Sequence, residues 1–297
     1  MNWIWDRVRE WRQALPAARE VPGMLWEHLR LHPVRSIGQV ILLSLILMAL
    51  FAPSLAPHDP GQRFLPYQDP SGAHPLGTND IGNDVLSELI YGSRVSLLVG
   101  FLAAAISVVI GSAVGMVAGY HRGLVEQFLM GTTDLFLLIP ALPLMIVLAA
   151  YLDPSMWNIV LVIGILWWCP TARVVHSRVL QVRETGFVES TKAMGFSAPY
   201  ILVRHVLPNT REVILAHFGL TVAVAMLTEA SLSFLGLGDP LHISWGNMLN
   251  FAFNRGGFFN DMYWWYLPPG IMISLAVLAF VLISTDRERR SRFFRWI

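Results

Sequence analysis

The chain has 297 residues, of which 55% are hydrophobic and 14% charged, and its formal net charge is +1. Soluble domains carry about 25% charge, so this composition argues against a chain of soluble domains, and the near-neutral balance implies no nucleic-acid or acidic partner. The single cysteine, Cys169, excludes an intrachain disulfide framework and a cysteine-rich metal site.

Residues 1–35 interleave Trp3, Trp5, Trp11 and Trp26 with Arg7, Arg9, Arg12, Arg19 and Arg30. That mixture suits an amphipathic helix in the headgroup plane, with a partner-docking helix as the alternative. Pro16 and Pro22 divide it into short pieces. Six apolar runs follow, each near the roughly 20 residues that a helix needs to span hydrocarbon. The first is enclosed by Arg35 and His58. It starts too late for an ordinary secretory signal and, with Pro57 directly after Ser54-Leu55-Ala56, reads as a retained span. Residues 58–93, rich in Pro, Gly and Asp, read as a loop with a short helix near 84–91. Arg94 and His121 enclose the second run; Asp134 and Asp153, extended back over 124–133, the third; Asp153 and Arg173 the fourth. Pro140, Pro143 and Pro170 mark breaks beside a pathway or simple kinks. Glu212 and Asp239 bound the fifth run, interrupted by His217 and Glu229, and Asp261 and Asp286 the sixth. Segment 236–265, rich in Gly, Asn and aromatics, forms a second long loop. Single apolar runs are often buried core helices; six of this length predict an all-α membrane protein with about six transmembrane helices.

The distribution of cations orients the spans. Of the 21 Lys and Arg residues, 18 fall on one side, in the N-terminal tail, at Arg122, in 173–211 and in the C-terminal tail. The other side holds only Arg63, Arg94 and Arg255. Both termini are therefore expected in the cytoplasm, with 36–285 as the membrane domain and 286–297 as a basic cytoplasmic tail.

The cytoplasmic segment at about 176–211 reads as helix, turn, helix. Gly195 stands where a left-handed residue ends a helix, and Lys192 lies in the last turn, where a cation suits the dipole. Ser197 and Pro199 suit a cap and a first turn, and the second helix is expected to stop near Pro208. Such an element presents an amphipathic face for helix-in-groove docking, or it is an ordinary connector.

Here Glu189-Ser190-Thr191, three residues, Gly195, then Leu207-Pro208, resemble the EAA loop of ABC importer permeases. The wider strings at 187–195 and 204–209 resemble the dipeptide/oligopeptide/nickel branch. So do 74–87, 91–97, 229–238 and 244–249, covering about 50–280. The chain looks like the second of the two permeases in such a system. Asn83 and Glu88 depart from the branch, which often has Arg there, and so remove positive charge from the external loop. Ser190 and Thr191 replace two alanines, and the usual tail after Leu282 is missing.

The resemblance implies a type I ABC importer permease fold and transport by alternating access. It implies a homologous permease partner, two ATPase subunits that bind ATP and Mg, and an external substrate-binding protein. Coupling to the ATPase would fall on Glu189, Ser190, Thr191, Ala193, Gly195, Leu207 and Pro208; a solvated helix charge is the other reading of Glu189. The sequence itself has no phosphate-binding G-x-x-x-x-G-K-[ST] loop and no catalytic motif, so the chain is not expected to be an enzyme or to hold a cofactor. Asp134 and Glu229 lie within spans, where ionisable groups line a pathway or pair to hold the bundle together. His217 alone does not make a metal site, and Asp59, Asp69, Asp80 and Asp84 lack EF-hand spacing, so no metal is expected. Di- and oligopeptides are the leading substrates; metal chelates, oligosaccharides and an ion-coupled secondary transporter are the alternatives.

Overall fold

The computed structural model describes residues 33–293, with side chains through 285. The tail expected over 1–35 lies almost wholly outside the described residues, as do the basic side chains after 285. The described chain is helical: α1 (Pro33–Leu50), α2 (Ala52–Leu55), α3 (Val85–Tyr120), α4 (Leu124–Leu138), α5 (Ala141–Tyr151), α6 (Met156–Leu166), α7 (Trp168–Arg183), α8 (Gly186–Ala193), α9 (Ala198–Ile201), α10 (Leu207–Leu232), α11 (Trp245–Asn254) and α12 (Tyr263–Phe293). Five stretches are long and apolar enough to cross a bilayer: Pro33–Leu50, Val85–Tyr120, Met156–Arg183, Ala198–Leu237 and Tyr263–Thr285. The third apolar run is a sixth candidate only as a pair, because α4 and α5 meet at 82°. Pro140 causes the break: it has no N–H to donate, and it drives Ile139 to extended backbone (φ −80°, ψ 127°). Pro143 falls in the first turn of α5 and breaks nothing, while Pro170, in the first turn of α7, follows the interruption at Trp167 (φ −91°, ψ 10°) that separates α6 from α7.

Helix α3 is the centre of the bundle. Asp84 caps it by accepting from the Ser87 N–H. Its 36 residues reach about 54 Å, well beyond a hydrocarbon layer of roughly 30 Å. The short helix expected near 84–91 is the start of α3 rather than a separate element. Trp245 holds these turns in line. It is fully buried against Gly92, donates Nε1–H to the Leu89 carbonyl (2.9 Å), and donates its backbone N–H to Ser96 Oγ (3.1 Å). At the other end of α1, Arg94 donates from Nε to the Ala49 carbonyl (2.6 Å) and from Nη2 to that of Leu50 (3.2 Å), a cation at a helix C-terminus.

A stripe of glycines lets α3 meet α7 backbone to backbone. A Cβ on Gly111 would sit 2.5 Å from the Trp168 carbonyl oxygen, on Gly115 2.5 Å from that of Ala172, and on Gly119 2.7 Å from Val179 Cβ. Such small-residue seams replace hydrophobic driving force between helices in lipid, where tails are as apolar as leucine. Large apolar side chains instead cover the outside: Val40 and Leu43 on α1, Leu124, Phe128 and Leu138 on α4, and Tyr151 on α5 are exposed.

Two loops close the end opposite Gly195. In 56–84 the backbone pairs across Phe64 N–H to the Gly82 carbonyl (2.7 Å) and Thr78 N–H to that of Gln68 (3.0 Å). Arg255, in the second loop, pairs with Asp80 at 2.9 Å. Asn83 and Glu88, the two departures from the branch, turn inward: both are buried, and Asn83 and Asn79 donate to Glu88 Oε1 at 2.8 and 3.0 Å. In this chain both positions are thus internal, joined in an amide–carboxylate contact.

Asp239 ties the second loop to α6. It accepts from Met156 N–H (3.1 Å), Leu241 N–H (2.8 Å) and the His242 ring (2.9 Å). Burial pushes this carboxyl up, but those donors outweigh it and hold its pKa below the ordinary aspartate value. A carboxylate depressed below its unfolded value of about 3.9 adds stability above that pH, lost as pH falls through the folded value. Asp239→Asn is expected to cost about 1 kcal/mol at pH 7. It should also flatten the acid limb of a melting-temperature series below about pH 4. An acid limb parallel to that of the wild type would assign the titration to another group.

Candidate functional site

The 176–211 segment is built on a small core of its own. Val175, Val179 and Val182 of α7 bury Val188 of α8 together with Ile201 and Val206. Helix α8 starts only at Gly186, later than the helix-forming residues from Glu184 suggest. Glu184 is instead the acceptor of an ion-pair lock. It pairs with Arg122 and, at 3.2 Å, with Arg183, while Arg183 also donates to the Gly119 (2.8 Å) and Tyr120 (3.3 Å) carbonyls that end α3. The loop is thereby braced to the central helix. Nothing in the sequence spacing points to Arg122 and the end of α3 as partners of the adjacent Arg183 and Glu184; they meet only through the α3–α7 seam.

Gly195 adopts φ +83°, with its N–H donating to the Lys192 carbonyl at 3.0 Å. Ser197 has the extended cap backbone, but its hydroxyl makes no cap bond. The coupling residues inferred from the resemblance divide by exposure. Glu189, Ser190, Ala193 and Pro208 are exposed, Leu207 is half-buried, and Thr191 is buried with its hydroxyl bonded to the Phe187 carbonyl (2.7 Å). Glu189 and Lys192 line a cleft of about 250 Å³ with Tyr120, Arg122, Arg183 and Glu184. Beside the turn lies a feature that the motif does not name. Phe187, Met194, Phe196, Tyr200 and Val203 are all exposed, and Phe196 stacks on Tyr200 with centroids 4.8 Å apart. Exposed aromatics and methionine at the tip of a braced turn have the composition of a protein-binding anchor. Their clustering next to Gly195 is the signal by which sequence reasoning could have found them.

The second helix does not stop at Pro208. A π-helical turn, Leu202–Val206, absorbs the proline, and the helix continues to Leu237 as a single 40-residue run. A widened turn releases the carbonyl that a proline cannot satisfy. The run has a length of about 60 Å. It ends in a second π turn, Ser233–Leu237, where Gly236 takes φ +84°.

The two intramembrane acids do not pair with each other. Asp134 pairs with Arg173 at 2.6 Å, both side chains more than half exposed on this chain. An exposed ion pair within spans belongs against water or another protein rather than lipid. Glu229 is buried at 2% exposure and accepts from Ser233 Oγ (2.8 Å), with the Ser96 and Ser244 hydroxyls also bonded to it. It therefore fastens α10 to α3 and to the start of α11.

Against this architecture, residues 111–285 match the family described as binding-protein-dependent transport system inner membrane component. The match runs from the glycine seam of α3 through the braced loop and into α12. The chain belongs to this family. Residues 23–75 match the N-terminal TM domain of oligopeptide transport permease C. A putative peptide permease protein of Brucella suis is 33% identical over 94% of this chain and 93% of its own length. The dipeptide transport system permease protein DppC of Bacillus subtilis is 35% identical over 87% and 81%. The probable D,D-dipeptide transport system permease protein DdpC of Escherichia coli is 34% identical over 85% of each. The chain is thus an ABC permease, a multi-pass component of the inner membrane that works in a complex with other subunits. Permease components are not enzymes; ATP is hydrolysed by separate ATPase subunits.

Proposed function

We propose that this permease forms half of the translocation pathway for di- or oligopeptides, with a second, homologous permease as the other half. Both termini and the Gly195 loop lie in the cytoplasm, as the cation distribution indicates. Two ATPase subunits, which bind the ATP and Mg, dock on the loop, and an external substrate-binding protein delivers cargo at the opposite end. The observation that carries this reading is the exposed Phe187–Met194–Phe196–Tyr200 patch on a loop braced to α3 and continuous with the 40-residue helix. Force on the patch has little slack to lose before it reaches Glu229, because the helix from Tyr200 onward is seated on the valine core through Ile201 and Val206. The exposed faces of α4 and α5, with the Asp134–Arg173 pair, would meet the partner permease or the path between them. The dipeptide transport names of the relatives support the cargo class.

Reconstitution tests the proposal. The permease pair with its ATPases and binding protein in liposomes is expected to accumulate a labelled dipeptide only with ATP inside the cytoplasmic compartment. Uptake by this chain alone, without ATPase, would overturn it in favour of a secondary transporter.

A further inference from the structure

Spacing along the sequence offered no metal site, yet folding brings His58, His74 and Asp84 together at the end of the bundle opposite Gly195. One ligand atom from each lies within 4.8 Å of the other two. His74 and Asp84 are buried and His58 is half-buried. His74 Nδ1 and Asp84 Oδ1 are 2.9 Å apart, a spacing that two metal bonds of about 2.0–2.2 Å to one ion can span. We propose that these three side chains bind a single divalent transition-metal ion of the zinc class, which pins the 56–84 loop to the start of α3.

The surroundings fit such a role. His58 Nε2 meets the Ala73 carbonyl at 3.0 Å; that oxygen only accepts, so Nε2 carries the proton and Nδ1 keeps a lone pair. Metal-bound histidines characteristically donate their second nitrogen to a carbonyl in this way. Asp84 is oriented by the Ser87 N–H (2.8 Å) and hydroxyl (2.7 Å), both on Oδ2, which leaves Oδ1 directed at His74. Phe64 packs on both imidazoles, with centroids 4.7 Å from His58 and 4.4 Å from His74, and shields them. Two imidazoles and one carboxylate select zinc or its neighbours over magnesium or calcium, which require oxygen-rich sites. Asp84 stands between the ion and the positive end of the α3 dipole and offsets their repulsion.

The experiment is calorimetric titration of the full untagged chain in detergent with zinc chloride, with magnesium chloride as the hard-cation control. Expected are one zinc ion per chain, no magnesium uptake, and a zinc-dependent rise in unfolding temperature. His58→Gln keeps an amide donor for the Ala73 carbonyl but removes the imidazole lone pair. It should melt like wild type without zinc, lose the zinc-dependent rise, and bind zinc more weakly by more than the roughly 10–100-fold that a second-shell change costs. Undiminished zinc affinity in His58→Gln, or no zinc uptake by the wild type, overturns the proposal.

Discussion

Gly195→Pro is expected to abolish ATP-driven uptake while leaving the chain inserted and folded in the membrane. Gly195 sits at φ +83°, whereas proline is locked near −65°. The substitution also removes the N–H that closes the turn onto the Lys192 carbonyl. A conflict of about 3 kcal/mol lowers the population of the docking-competent loop by about 100-fold. The damage stays local because a Cβ at this position meets no atom within 4 Å, and because the valine core and the Arg183 brace lie elsewhere. Gly195→Ala separates strain from proline's other effects. It faces only the left-handed penalty of about 1–2 kcal/mol and should reduce uptake by about 5- to 30-fold, less than proline does. Glu189→Lys reverses an exposed charge in the first turn of α8, beside Arg122, Arg183 and Lys192, and should likewise uncouple hydrolysis from transport. Unchanged uptake and substrate-stimulated ATPase in both Gly195→Pro and Glu189→Lys would remove the coupling role from this loop.

Gly115→Leu acts at the other level and should prevent the bundle from forming. A Cβ there would lie 2.5 Å from the Ala172 carbonyl oxygen and 2.9 Å from both the His176 nitrogen and Val175 Cβ. Backbone cannot step aside as a side chain end can, so α3 and α7 must separate toward an ordinary helix spacing of about 8–10 Å. That opens the contacts of Gly111 and Gly119 as well. Overpacking alone costs about 1–3 kcal/mol, and here the whole seam is lost with it. The variant should elute as aggregate from a sizing column or melt far below the wild type. Gly131→Leu is the control, since nothing lies within 4 Å of its Cβ position; it should stay within about 0.5 kcal/mol of wild type. Equal behaviour of the two variants would show that the seam is not what holds α3 to α7.

The sequence alone determined the apolar runs, because spanning hydrocarbon requires about 20 adjacent residues to be apolar, and that property is local. It determined the left-handed turn at Gly195 for the same reason, since a glycine after a helix is read within a few residues. The resemblance in the 187–209 segment placed the loop in its family. Tertiary structure decided what these pieces touch. Pro208 reads as a stop, but a π turn carries the helix through it, supported by Val206 and Ile201 on the valines of α7. The helix near 84–91 reads as separate, but Trp245, 156 residues from Leu89 along the chain, keeps it in line with α3. Asp134 and Glu229 read alike as intramembrane acids; one pairs with Arg173 in the open, and the other is enclosed by serines of three segments. The Glu184 lock and the His58–His74–Asp84 cluster have no signature at all in spacing. A hydropathy run or a helix-ending glycine draws its energy from neighbours in the chain. An ion pair or a cluster of ligands draws it from groups that meet only after the glycine seam has brought the helices together.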